Sequence, residues 1–332
     1  MARRKQQDQL ALFDLGPQTE PEQAGVGAAR QPEEVEALGR QLPQGIYLGG
    51  STWSFPGWAG LVYDRSYTPS RLAHAGLAAY ARHPLLRAVG IDRTHYAPVE
   101  AVELAAYREA VPEDFRFLVK AHEACTLARF PDHARYGAGR GQENPLFLDA
   151  AYAADHVVAP FVEGMGAEAG ALLFQFAPQD LGTPLRFARR LQAFLSALPR
   201  GVVYAVEVRN RELLTADYGD VLAAVGACHC HNVHSRMPDI RAQAALVGSE
   251  RGPMTVIRWL LGPGMTYEEA GRRYAPFNRL AAPDPTNRRA VANLARDALA
   301  TGRPFLCTIN NNAEGSAPLS AVELAKEILA EP

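Results

Sequence analysis

The feature that most constrains this chain is a regular alternation that begins near residue 45. Short apolar segments of strand length recur eight times, with longer Ala/Leu/Arg-rich stretches of helical period between them. The strand segments read GIYLGGST, LLRAVGID, FRFLVKAH, GALLFQFA, VVYAVEVR, ACHCHNVH, MTVIRWLL and PFLCTINN. Helical segments include SRLAHAGLAAYARH, PVEAVELAAYREAV, DAAYAADHVVAPFVEGM, PLRFARRLQAFLSAL, LTADYGDVLAAVG and NRRAVANLARDALATG, the last stopped by Gly302 and Pro304. This pattern predicts an α/β fold: a single-domain (β/α)8 TIM barrel over residues 45–332. A doubly wound open sheet is the competing architecture. No Gly-x-Gly-x-x-Gly follows the first strand, so its dinucleotide-binding form has no support.

Residues 1–44 have a different character. They are rich in Gln, Glu, Gly, Ala and Pro without sustained periodicity, and predict a flexible N-terminal arm whose EEVEALGRQL stretch forms a helical turn or two leading into the body. Near its start stands QLALF. Gln9, Leu10, Leu12 and Phe13 resemble the short Gln-Leu-Ser/Asp-Leu-Phe peptide by which bacterial proteins bind the replication sliding clamp. Leu and Phe anchors fill an apolar pocket, and an extended arm lets them reach it. The resemblance implies the sliding clamp as partner and places DNA among the candidate substrates. The alternative is an arm helix docked on its own barrel.

Charge bears on that partner. The formal net charge is −2, without the basic excess of autonomous nucleic-acid binders, so contact with DNA has to be local or tethered. No apolar run is long enough to span a bilayer, and no apolar stretch follows the initial ARRK, so neither a membrane nor export is expected. Cys125, Cys228, Cys230 and Cys307 form no C-x-x-C pair and read as reduced thiols of a cytoplasmic protein.

In a TIM barrel the active site lies at the C-terminal strand ends and in the loops after them. Side chains alternate along a strand, and the face opposite the helix-packing apolar one points into the barrel. Applied to the strand segments, this rule predicts an interior set of Lys120, His122, Gln175, Glu207, Arg209, His229, His231, Arg258 and Asn310. So many polar groups near strand ends point to a site. Glu207 is the expected catalytic carboxylate, as general base or metal ligand, against the alternative of a buried Glu207–Arg209 pair that fixes strand register. Lys120, Arg209 and Arg258 surround it as an anion-binding set suited to phosphate. Lys120 can also serve as a Schiff-base amine, and His122 as acid or ligand. Gln175, Asn310, Asn311, Trp53 and Tyr96 are expected to line the substrate, the aromatics by stacking. Asp92, His95, His229 and His231 are candidate ligands for a divalent metal such as Zn or Mn, although no dense ligand signature is present.

Several segments also resemble one family in order: LGGSTWSFPGW, FRFLVKAHEACT, ALLFQFAP, AVEVRNREL and TINNNAEGSAPLSAVEL. On these the chain is identified as a member of the YecE-like family, domain of unknown function 72, across residues 46–329. The resemblance implies a TIM barrel and no established activity. DRTHY, with Asp92 and His95, and CHCHNVH depart from the family pattern. Together these readings predict a phosphate-directed enzyme, with phosphodiester hydrolysis in DNA repair while tethered to the clamp as the leading expectation. A sugar-phosphate isomerase or aldolase is the alternative, and a non-enzymatic clamp-bound adaptor is a third.

Overall fold

A computed structural model of the protein describes residues 25–167, 169–262 and 264–330. Gln9, Leu10, Leu12 and Phe13 therefore lie outside the described residues. The eight expected strands all form: β1 Ile46–Gly50, β2 Leu86–Ile91, β3 Arg116–Lys120, β4 Gly170–Phe176, β5 Val203–Val208, β6 Cys228–Val233, β7 Thr255–Trp259 and β8 Phe305–Ile309. They pair in parallel in sequence order, and β1 closes on β8. An open sheet is thereby excluded.

The principal helices are α1 Glu33–Gln41, α2 Pro69–Ala75, α3 Ala101–Glu109, α4 Ala159–Met165, α5 Pro184–Ala197, α6 Ala216–Val225, α7 Ile240–Val247, α8 Tyr267–Tyr274, α9 Pro285–Ala300 and α10 Ala317–Leu329. Local chemistry sets their starts. Thr183, Thr215 and Asp284 accept hydrogen bonds from the first-turn amides of α5, α6 and α9, and Pro184 and Pro285 supply a preset φ. Thr266 and Glu269 close a capping box on α8. Among the described residues no helix is long and apolar enough to cross a membrane.

The described part of the 1–44 segment differs from the expected flexible arm. Residues 27–31 are tied to the body: the Gly27 amide donates to the Tyr67 hydroxyl, and Gln31 donates to the Leu61 carbonyl at 2.8 Å. The helix α1 then buries Val35, and Lys326 of α10 pairs with Glu34 at 2.8 Å. An apolar residue every three to four positions (Val35, Leu38, Leu42) was enough to bury one face, despite the polar composition around it.

The lumen is built in two layers. Its lower part is apolar: Leu118, Ala171, Leu173, Ala205, Cys228, Cys230, Val256 and Leu306 pack together. The next inward positions toward the C-terminal ends are polar, with Lys120, Gln175, Glu207, Asn232, Arg258 and Thr308 all buried. Register joins them: Gln175 lies beside Glu207, and Arg258 lies between Asn232 and Thr308.

This parity corrects two assignments. His229 and His231 point outward, because on β6 the inward positions are Cys228, Cys230 and Asn232. His229 meets the Tyr218 hydroxyl of α6 at 3.1 Å and Gln243 of α7 at 3.2 Å, and His231 bonds the Val256 carbonyl at 3.2 Å. Small thiols fit the crowded lumen as hydrophobes, and the imidazoles fill the wider space under the helices.

One close approach fixes the β1–β2 seam. A Cβ on Gly49 would stand 1.7 Å from the Ala88 carbonyl oxygen, a backbone atom that cannot swing away. Gly49→Ala is expected to lower stability by about 3 kcal/mol, the upper end of ordinary overpacking costs. A shift of the urea midpoint at unchanged m-value measures it.

Candidate active site

The polar layer opens at the C-terminal mouth as one ion network. Glu207, fully buried, receives Arg209 Nε on one carboxylate oxygen at 2.8 Å and Arg258 Nη1 on the other at 2.7 Å. Arg258 Nη1 also donates to Gln175 Oε1 at 2.7 Å, and Arg209 Nη2 reaches the same oxygen at 3.4 Å. Across the mouth, Lys120 Nζ lies 3.1 Å from Asp92 Oδ2, and Arg258 Nη2 lies 3.8 Å from Asp92 Oδ1. Three cations thus share two carboxylates, and the cluster carries a local excess of one positive charge.

Placement follows from the strands. Lys120 ends β3, Arg258 is the fourth residue of β7, and Asp92 and Arg209 immediately follow β2 and β5. Thr94 donates to the Lys120 carbonyl at 2.6 Å and locks the two strand exits together. The buried side chains of Asn232 (Oδ1) and Thr308 (Oγ1) find no protein partner among the described residues for these oxygens.

The charges respond to this geometry in opposite ways. Burial alone would raise the Glu207 pKa, but Arg209 and Arg258 outweigh it and hold the carboxyl down to about 2. Burial lowers the Lys120 ammonium to about 8, opposed by Asp92 and Glu207 and reinforced by Arg258 and Arg209. Asp92 is partly exposed. Its burial is outweighed by Lys120 and Arg258, which keep it below the ordinary carboxylate range. Burial, with Lys120 next, pushes His95 down to about 3, so its imidazole is neutral.

The other expected residues fall into two groups. His122 lies beside the network in a neighbouring cleft of about 440 Å³, with Tyr96, Glu123, Phe130, Arg135 and Tyr136. Its Nδ1 meets the Tyr152 hydroxyl at 2.7 Å. The remainder are engaged in the scaffold. Trp53 is buried, with its indole N–H donating to the Leu72 carbonyl at 3.1 Å and its ring edge-on to Tyr107. Asn311 Oδ1 accepts from the Trp58 indole at 3.1 Å and from the Ala317 amide of α10 at 2.9 Å. Asn310 accepts from the Asn312 amide at 2.9 Å. His229 and His231 point out of the lumen toward the helices and the β7 backbone, away from the network's open face. Among the described residues no three of His, Cys, Asp and Glu come together as metal ligands would.

Sequence reasoning missed four contributors. Tyr267 opens α8 at the mouth, where burial raises its phenol and Arg209 and Arg258 oppose the rise. Glu123, Arg135 and Tyr136 build the cleft. Arg135 bonds both Glu123 and the Tyr136 hydroxyl. The signal available was length: the long connection between β3 and β4 contains PDHARYGAGRGQENP, and long barrel loops commonly carry function.

Comparison with known proteins adds family and fold. A profile described as "Protein of unknown function DUF72" matches residues 47–331. No curated protein matches. A crystal structure of a DUF72 family protein from Enterococcus faecalis aligns at 18% identity and TM-score 0.53, covering 86% of this chain and 96% of that one. One from Thermotoga maritima aligns at 16% identity and TM-score 0.55, covering 86% and 99%. At this identity the likeness concerns the fold alone.

Glu207→Gln is expected to cost about 3 kcal/mol at neutral pH, since it leaves the buried Arg258 and the partly exposed Arg209 guanidinium groups facing a neutral amide. The folded pKa of Glu207 lies below its ordinary 4.5, so its contribution is complete above that value and is lost as pH falls toward about 2. The stability gap between wild type and Glu207→Gln should therefore narrow across that window in urea titrations.

Proposed function

Because the chain belongs to the DUF72 family, whose description assigns no activity, we propose its function from the site: an enzyme acting on a phosphate-bearing substrate whose phosphate binds at the barrel mouth. The observation that carries this reading is the cationic excess of Lys120, Arg209 and Arg258 around a carboxylate that is already satisfied. Glu207 spends both oxygens on the arginines and holds its proton too weakly to serve as a base near neutral pH. Its part is to fix two guanidinium forks before the anion arrives. Lys120 is the group poised for proton transfer, because its pKa near 8 lies close to working pH.

For phosphodiester hydrolysis the roles are concrete. Water adds to phosphorus and releases one proton to solvent, the ester P–O bond breaks, and the departing alkoxide takes a proton from the Lys120 ammonium. The amine is then reprotonated from solvent. Arg209 and Arg258 neutralise the charge on the phosphoryl oxygens.

The affinity for inorganic phosphate should fall as pH rises through about 8, where the free ammonium is lost. Arg209→Ala should weaken binding about tenfold or more, as loss of a charge-assisted hydrogen bond does. Calorimetric titration from pH 6 to 9.5 tests both, and phosphate binding that ignores pH and Arg209 refutes the reading.

The lowered pKa of Lys120 also favours a second reading, a Schiff-base amine acting on a sugar phosphate. The two diverge in sign. An acid or anion anchor loses function above about 8, and a nucleophilic amine gains it. Borohydride reduction with a carbonyl-bearing sugar phosphate would leave a stable mass increment on Lys120 only under the second reading.

We further propose that Gln9, Leu10, Leu12 and Phe13 direct this chemistry to DNA through the sliding clamp. Tethering raises the local concentration of the site at DNA without a basic surface. A synthetic peptide of residues 1–20 should bind a bacterial clamp, and a Leu12→Ala, Phe13→Ala version should not. Equal binding by both peptides in fluorescence anisotropy would remove this address.

A further inference from the structure

The cleft beside the mouth is a second built feature that the phosphate chemistry leaves unused. Two of its walls follow strands that also carry the ion network, β2 and β3. Tyr96 follows Asp92 after β2, and His122 stands two residues beyond Lys120 after β3, a reach of at most about 7 Å. His95 Nδ1 meets the Ala121 carbonyl at 3.3 Å, and its Nε2 lies 3.8 Å from Glu123, so one imidazole separates network from cleft.

The lining is flat and preformed. The Arg135 guanidinium lies over the rings of Tyr136 at 4.6 Å and Tyr96 at 5.2 Å, and Phe130 packs on Tyr136 with centroids 5.4 Å apart at 34°. Such a series of aromatic and guanidinium planes is the surface on which bases stack. The loop that carries it is pinned. Asn144 donates to the Ala124 and Leu127 carbonyls at 2.8 and 2.7 Å, and Gln179 bridges the Thr126 carbonyl and the Ala128 amide at 2.8 Å each. Glu123 is offset by Arg135, so the cleft is close to neutral beside a cationic mouth. His122, held through Nδ1 by Tyr152, has Nε2 left to meet a polar edge. The volume, about 440 Å³, suits a small ring system.

We propose that this cleft takes the planar heterocyclic base of a nucleotide unit, stacked against Phe130, Arg135 and the flanking tyrosines, while its phosphate lies on Lys120, Arg209 and Arg258. The inference rests on the phosphate reading and narrows its substrate class to nucleotides or nucleic acid.

Calorimetry on the full chain with four probes tests it: inorganic phosphate, ribose 5-phosphate, a deoxynucleoside 5′-monophosphate and the matching uncharged nucleoside. The monophosphate should bind about tenfold or more tighter than ribose 5-phosphate, within the range that base stacking gives. Phe130→Ala should erase that gain and leave inorganic phosphate affinity unchanged. Phe130 is partly exposed, and Phe130→Leu with an unchanged circular dichroism spectrum serves as the folding control. If phosphate binds but the monophosphate gains nothing over ribose 5-phosphate, the cleft assignment is overturned and the phosphate reading stands. If phosphate does not bind, yet the nucleoside does and loses affinity in Phe130→Ala, the cleft assignment stands and the phosphate reading falls. Binding of none of the four overturns both.

Discussion

The rest of the site depends on one buried carboxylate held between two guanidinium groups. Glu207 sits directly above an apolar lumen of Leu173, Ala205, Cys230 and Val256, where an unpaired charge would cost several kcal/mol. Arg209 and Arg258 each donate to one of its oxygens, and Gln175 collects their remaining reach. That carboxylate is the partner both guanidinium groups share at the mouth at 2.8 Å or less. The arrangement also explains why Glu207 and Lys120 respond differently to burial. Glu207 has two close donors of its own. Lys120 has one carboxylate, partly exposed and shared with Arg258. Pairing therefore defeats burial at Glu207 and only partly offsets it at Lys120, leaving a fixed anion beside a cation near its titration point.

The barrel was legible because strand period and helix period alternate from residue 45 onward, and closure is the economical way to bury eight parallel strands. The ion network was legible for a related reason. In FRFLVKAH, ALLFQFA, VVYAVEVR and TVIRWLL the apolar residues mark one face so clearly that Lys120, Gln175, Glu207 and Arg258 had to lie on the other. The same rule failed on CHCHNVH, where neither face is plainly apolar. Treating thiol as the helix-packing face and imidazole as the lumen face reversed the true parity. Period-two reasoning is only as good as the contrast between its two phases.

Loops were harder, because no periodicity links a loop residue to its neighbours. Trp53 and Asn311 follow strands that reach the mouth, yet one docks on Leu72 and Tyr107 and the other caps α10. Each satisfies a polar atom that burial would otherwise strand, and that demand cannot be seen without the partner. The cleft was missed for the converse reason. Arg135 and Tyr136 stand 12 and 13 residues beyond Glu123 in the chain, and the loop held by Asn144 and Gln179 brings them together.

The formal charge of −2 is a poor guide to what such a site can hold. Acidic and basic groups on the outer surface are screened by water and salt within about 10 Å, so their sum contributes little at the mouth. The three cations of the network lie at the end of a low-dielectric lumen, where a single uncompensated charge acts more strongly than the same charge in water. Two of them are also prevented from turning toward each other's solvent by Glu207. An anion approaching the barrel thus meets an oriented local excess, whatever the chain's total. Selectivity among anions then rests with the neutral surfaces around that excess, because the charge itself cannot tell one phosphate from another.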